Sequence, residues 1–244
     1  MTDKMLKFIK IGKQTPSKRG VLERKEDFNE IYKEFIEEKA KEQSSRCSQC
    51  GIPFCQVHCP LSNNIPDWLK LTAEERLKEA YELSQNTNNM PEVCGRICPQ
   101  DRLCEGNCVI EQSRHGTVTI GSIEKFVTES AWKNGWIKPL KILEEKDQTV
   151  GIIGAGPAGL ACAEQLRKEG YQVTIYDRYD RPGGLLIYGI PNFKLEKFVV
   201  ERRTKHLKDS GINFVQNFEV GKDSSLKDLK NKHDAILIAT GVYK

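Results

Sequence analysis

The segment Val150-Gly151-Ile152-Ile153-Gly154-Ala155-Gly156-Pro157-Ala158-Gly159-Leu160 is the most informative in the chain. An apolar run of strand character leads into three glycines at GxGxxG spacing, and a helix-forming stretch follows over 157–169. Each glycine has a separate reason. Gly154 permits the tight turn, Gly156 lets backbone approach a pyrophosphate, and Gly159 lets the helix pack on the strand. Free N–H groups at the helix start, reinforced by its dipole, then face the phosphates. Gln172 to Tyr176 (QVTIY) predicts the next strand, and Asp177 at its end stands where a carboxylate meets ribose hydroxyls. Spacing alone leaves FAD and NAD(P) both open.

Around this turn, Thr149 to Ile153 reads as a buried strand, Lys194 to Asp209 as a helix, and Ala235 to Ala239 (AILIA) as another buried strand. Strands alternating with helices predict a parallel sheet covered on both faces. The pattern begins after residue 146, so the predicted domains are 1–146 and 147–244.

The first part is marked by cysteine. Eight of the nine lie between 47 and 108, in two runs: CSQCGIPFCQVHCP, holding Cys47, Cys50, Cys55 and Cys59, and CGRICPQDRLCEGNC, holding Cys94, Cys98, Cys104 and Cys108. Zinc ribbons separate their CxxC pairs by a dozen or more residues. Four thiols this close together suit a multi-iron cluster fed by short loops, as in bacterial ferredoxins, and Pro60 strengthens that comparison. Disulfides and zinc are the competing readings. His58 reads as a loop residue and Cys162 as a small packed side chain, while Arg46, Arg96 and Arg102 could offset cluster charge or do nothing specific.

Between the runs the periodicity predicts helices. One over 27–43 would be capped by Asp27 and would bury Phe28, Ile31, Tyr32, Phe35, Ile36 and Ala40. A helical stretch over 66–84 would contain a capping box at Thr72-Ala73-Glu74-Glu75, and another helix covers 121–134. Residues 1–26 read as an arm. The 244 residues carry 38 Lys+Arg against 34 Asp+Glu, evenly mixed, which argues against a nucleic-acid partner. An apolar run long enough for a membrane span is absent, as is an export signal, so the expected compartment is the cytoplasm.

RCSQCGIPFCQVHCPLSNNIPDWL, CGRICPQDRLCEGNC, GIIGAGPAGLACAEQLRKEGYQVTIYDR and GGLLIYGIPNFKL, in this order, resemble the small (beta) subunits of bacterial NADPH-dependent glutamate synthase. The wider flavin and iron–sulfur oxidoreductase family includes the N-terminal half of dihydropyrimidine dehydrogenase and the large subunit of NADH-dependent ferredoxin:NADP oxidoreductase. The resemblance therefore leaves an NAD(P)H–ferredoxin or dihydropyrimidine dehydrogenase-type oxidoreductase as the alternative. The resemblance implies an α-helical iron–sulfur domain followed by an α/β Rossmann-like FAD-binding domain, incomplete because the chain stops at 244. It implies two [4Fe–4S] clusters, and an FAD held by Gly154, Ala155, Gly156, Pro157, Ala158, Gly159, Asp177 and Arg178, with Gly183, Gly184 and Leu185 nearby. An NADPH site would lie in a part beyond residue 244, and electrons would pass to a glutamate synthase large (alpha) subunit. By analogy with two-cluster ferredoxins, the fourth cysteine of each run would cross over. Cys47, Cys50 and Cys55 would then share a cluster with Cys108, and Cys59 would join Cys94, Cys98 and Cys104. A rival of another class is a cluster- or zinc-stabilised docking scaffold without turnover.

Overall fold

A computed structural model describes residues 4–242. The chain forms two compact units, Met1–Ile137 and Lys138–Lys244.

The first unit is helical: α1 (Val21–Glu26), α2 (Glu37–Ser44), α3 (Phe54–Val57), α4 (Ile65–Ala73), α5 (Leu77–Ser84), α6 (Pro91–Ile97), α7 (Val109–Gln112) and α8 (Ile120–Lys133). Its axis is α8, where Ile120, Ile123, Val127 and Ala131 recur at helical spacing and are fully buried. Helix α6 crosses α8 closely because position 95 is glycine. A Cβ there would lie 2.7 Å from the Lys125 nitrogen. Trp68 of α4 fills the space between helices, its indole N–H donating to Asn63 Oδ1 at 2.7 Å.

Two helix expectations need correction. The stretch 27–43 is helical only in its second half, as α2. Asp27 follows α1 instead of opening a helix, because its carboxylate is taken by the Arg19 guanidinium (2.5 and 2.8 Å) and by the Asn29 N–H. Residues 28–36 run beside the arm, with Arg19 N donating to Ile31 O and Lys33 N to Ser17 O. Phe28, Tyr32 and Ile36 are consequently exposed, and only Phe35 and Ala40 of the expected face reach the core. The stretch 66–84 is two helices. Thr72 is buried near the end of α4 with its hydroxyl donating to Trp68 O, so it caps nothing, and Glu75 turns the chain at φ +65°.

The opening arm is docked. Met5 is buried, Leu6 N donates to Cys47 O, and the buried Arg46 guanidinium donates to the carbonyls of Ile11, His115, Gly116 and Thr117. Arg46 is thus a staple between the arm and the segment before α8. Arg96 is likewise spent internally, on Glu30 and Glu129.

The second unit runs β1 (Thr149–Ile153), α9 (Pro157–Lys168), β2 (Gln172–Tyr176), α10 (Leu185–Tyr188), α11 (Lys197–Asp209), β3 (Asn213–Val215), α12 (Leu226–Lys232) and β4 (Ala235–Ile238). All pairs are parallel in the order β3-β2-β1-β4, with Val150 opposite Val173 on one side and Ala235 on the other. The chain leaves β1 at the centre of the sheet, where strand order reverses. Crevices at such switch points bind ligands in open α/β sheets.

Candidate dinucleotide cradle and thiol cavities

At the carboxyl ends of β1, β2 and β4 lies a cavity of about 410 Å³. Gly154 adopts φ +111°, and a Cβ there would strike Ala239 O at 2.3 Å. Gly156 has open space where a side chain would be, just before Pro157 at the first position of α9. The N–H groups of the first turn of α9 therefore remain available to an anion. Gly159 lies against Gly154 O, where a Cβ would come within 2.0 Å.

Asp177 is buried beneath the turn. Its Oδ2 accepts the Ala155 N–H at 2.6 Å and its Oδ1 accepts the Tyr179 N–H at 2.9 Å. The carboxylate thus fixes the turn and the following loop to each other. Each oxygen keeps acceptor capacity for a ribose hydroxyl. Gly184 meets the turn from the other side: a Cβ on it would lie 2.8 Å from Gly156 Cα, and Gly183 N donates to Ala155 O at 2.8 Å.

Of the residues singled out in the sequence, Gly154, Gly156, Pro157, Ala158, Asp177, Arg178, Gly184 and Leu185 line the cavity. Ala155, Gly159 and Gly183 are not among the lining residues and act through packing and backbone hydrogen bonds. The sequence reading missed Tyr179, Phe218, Glu219, Val220 and the stretch 239–242, which complete the lining. The stretch Ile212-Asn213-Phe214-Val215 after Gly211, β-branched and aromatic apart from Asn213, is the signal for β3, and so for the wall that follows it.

In the first unit, Cys47, Cys50, Cys55 and Cys108 line one small cavity with Pro53, Pro66, Leu69, Ile110 and Ile120. The second run thus sends its last cysteine to the first three of the other run. Gln49, at φ +52°, turns its side-chain amide onto Cys47 Sγ (3.3 Å) and Pro66 O (2.8 Å). Ser48 Oγ lies 2.9 Å from Cys50 Sγ. Burial, with the neighbouring thiols of Cys47 and Cys108, pushes the Cys55 thiol up to about 12, and burial also raises Cys47.

Cys59, Cys94, Cys98 and Cys104 are close enough for charge on one to bear on another: Cys59 on Cys94 and Cys98, and Cys98 on Cys94 and Cys104. Burial pushes Cys94, Cys98 and Cys104 upward. Glu124, which sequence reading did not single out, sits beside these three on α8. Burial lifts its carboxyl to about 8, while Asn88 Nδ2 donates to Oε1 at 3.1 Å. Asn88 Oδ1 in turn faces Cys94 Sγ at 3.7 Å. His58 is exposed and its ring Nδ1 pairs with Phe54 O.

Among the described residues no three His, Cys, Asp or Glu groups converge as they would on a single metal ion. The first set of four thiols rings a void instead of meeting at a point. Burial opposes ionisation of Cys47 and Cys55, so these donors suit a group that itself carries compensating positive charge.

The class follows from both halves. Residues 24–136 match the family described as dihydropyrimidine dehydrogenase domain II, 4Fe-4S cluster, and residues 152–212 match the NAD(P)-binding Rossmann-like domain. The chain thus joins an iron–sulfur domain to an NAD(P)-binding Rossmann-like domain with a parallel sheet. More particularly, the chain is 66% identical over 241 residues to the glutamate synthase [NADPH] small chain of Azospirillum brasilense, covering 99% of this chain and 50% of that one. It is 46% identical over 244 residues to the Escherichia coli K12 protein of the same name, covering 100% and 52%. With the glutamate synthase [NADH] of Schizosaccharomyces pombe it shares 44% over 246 residues, 98% of this chain and 11% of that one. Over nearly its whole length this chain is similar to glutamate synthase small chains, and it spans about half the length of these two bacterial relatives. No helix among the described residues is long and apolar enough to cross a membrane.

Proposed function

We propose that this chain is the iron–sulfur and FAD-binding part of a glutamate synthase small subunit, relaying electrons that originate in NADPH to a large subunit that forms glutamate. In this reading Cys47, Cys50, Cys55 and Cys108 hold one [4Fe–4S] cluster, and Cys59, Cys94, Cys98 and Cys104 hold a second. FAD lies in the cavity of the second unit, and the compartment is the cytoplasm. A bound flavin accepts the two electrons of a hydride and releases them singly to clusters that carry one at a time.

The chain's own residues supply the rest. The turn from Gly154 to Gly159 offers backbone N–H groups to a pyrophosphate, and Asp177 offers acceptor oxygens to a ribose. The apolar lining of the first thiol cavity keeps water from it, and the Gln49 amide donates toward Cys47 sulfur, which favours the thiolate. The observation that carries the reading is Cys108 in one cavity with Cys47, Cys50 and Cys55. A shared cavity drawing on both runs gives the eight cysteines two sets of four without remainder.

Purified protein handled without oxygen should contain about eight iron atoms and eight acid-labile sulfides per chain, together with FAD. Stoichiometric zinc without sulfide would instead establish the scaffold reading. Because the matched Rossmann-like family is described as NAD(P)-binding, recovery of a nicotinamide dinucleotide and no flavin would move the pyridine nucleotide into this cradle.

A further inference from the structure

The cavity wall made by Gly184 and Leu185 belongs to a short segment that needs holding. Helix α10 has only four residues and its carbonyls have few partners within it. At its start the segment is tied to the Gly-rich turn through Gly183 N and Ala155 O. Past its end, the Lys197 ammonium donates to Leu186 O at 2.9 Å and also to Ile190 O. The Lys197 backbone N–H is itself held by Asn192 Oδ1 at 3.1 Å.

Lys197 is an unfavourable place for a cation. It is the first residue of α11, at the positive end of that helix's dipole. It is half-buried, and both burial and the charge of Arg181 depress its proton affinity. What the ammonium does gain is two carbonyls of the segment that closes the dinucleotide cavity.

We infer that Lys197 is a positioning residue for the dinucleotide: it clamps the 184–190 segment so that Gly184 and Leu185 stand as a preformed wall of the cavity. This rests on the FAD reading above. Without the clamp the segment keeps the bonds of the Tyr188 hydroxyl to Asp180 and to the Arg181 N–H, and the burial of Leu186 and Ile187. The carbonyls of Leu186 and Ile190, however, lose their shared donor, and ordering that part of the segment on binding would then appear as lost affinity.

The test compares Lys197→Met and Lys197→Arg with wild type in the full chain carrying its iron. Flavin-stripped protein is titrated with FAD, and amide hydrogen exchange is followed without FAD. Lys197→Met should raise the FAD dissociation constant about tenfold or more, the scale of one charge-assisted hydrogen bond. It should also speed exchange across Leu186 to Ile190, with iron content unchanged. Lys197→Arg should restore most of both, since a guanidinium can reach the same carbonyls. Unchanged FAD affinity in Lys197→Met would overturn the positioning role, as would unchanged exchange in the segment. Wild-type protein that takes up no FAD would defeat the flavin reading separately. The exchange comparison would then still decide whether the clamp exists.

Discussion

Asp177 shows how one side chain can serve both fold and ligand. A carboxylate at the end of β2 is readable from sequence as a ribose acceptor. The structure adds that it also receives the N–H groups of Ala155 and Tyr179. Asp177→Ala should therefore lower FAD affinity by about 10- to 100-fold, combining a lost charged acceptor with a loosened turn. Flavin per chain after gel filtration measures it, with iron content unchanged; full flavin retention would refute the role. A second residue carries a pH dependence. His233 is buried with Nε2 2.9 Å from the Tyr176 hydroxyl and its ring across β1 at Gly151. Burial and then Lys232 lower its proton affinity, against a smaller opposing effect of Asp234. The unfolded chain therefore binds a proton more readily than the fold does. The stability this group contributes is present above its ordinary value of 6.5 and is lost as pH falls from there through the depressed value. Urea midpoints of wild type and His233→Gln should converge on acidification between pH 7 and 5. Parallel curves would exclude His233 as a source of acid lability.

At the scale of elements, the loop before α4 and the segment between α6 and α7 each give cysteines to both thiol groups. Cys59→Ser separates the crossed arrangement from the uncrossed one, in which each run of four cysteines serves its own cluster. With crossing, the cluster bound by Cys47, Cys50 and Cys55 keeps its electron paramagnetic resonance signal while the other is lost or altered; the reverse outcome establishes the uncrossed scheme. The two runs, the Gly-rich turn and the strands β1, β2 and β4 were legible because each is a local pattern whose chemistry demands particular residues at particular spacings. Helix periodicity over 27–43 misled for a physical reason. Arg19 competes for the Asp27 carboxylate, and pairing of residues 31–33 with the arm replaces the helical hydrogen bonds. Thr72 misled similarly, since a hydroxyl can cap the helix that follows or bond back four residues, here to Trp68 O. Glu124 was invisible for another reason. Its place beside Cys94, Cys98 and Cys104 depends on the close crossing of α6 and α8 at Gly95, a tertiary fact that no spacing in the chain records.

Over the whole molecule, the two units hold their cores by different means. In the first unit Cys47, Cys104 and Cys108 are themselves core residues, packed with Ile65, Leu69, Ile110 and Ile120. The thiols occupy positions that an ordinary helical domain would fill with aliphatic side chains. In the proposed reading, removing a cluster from such a centre leaves a void in the core, so iron binding and folding are coupled there. The second unit needs no such aid: its sheet is enclosed by Ile152, Ile175, Leu160 and Val199, each at 1% exposure or less, and it contains none of the eight clustered cysteines. Stripping iron with a chelator under reducing conditions should therefore lower the melting of the first unit by about 10 °C or more, the order expected when a domain of this size loses a few kcal/mol. The second unit's transition should stay where it was. Hydrogen exchange read separately over 38–133 and 149–238 distinguishes them, and equal loss of protection in both would show that one cooperative core spans the chain, with the metal supporting all of it.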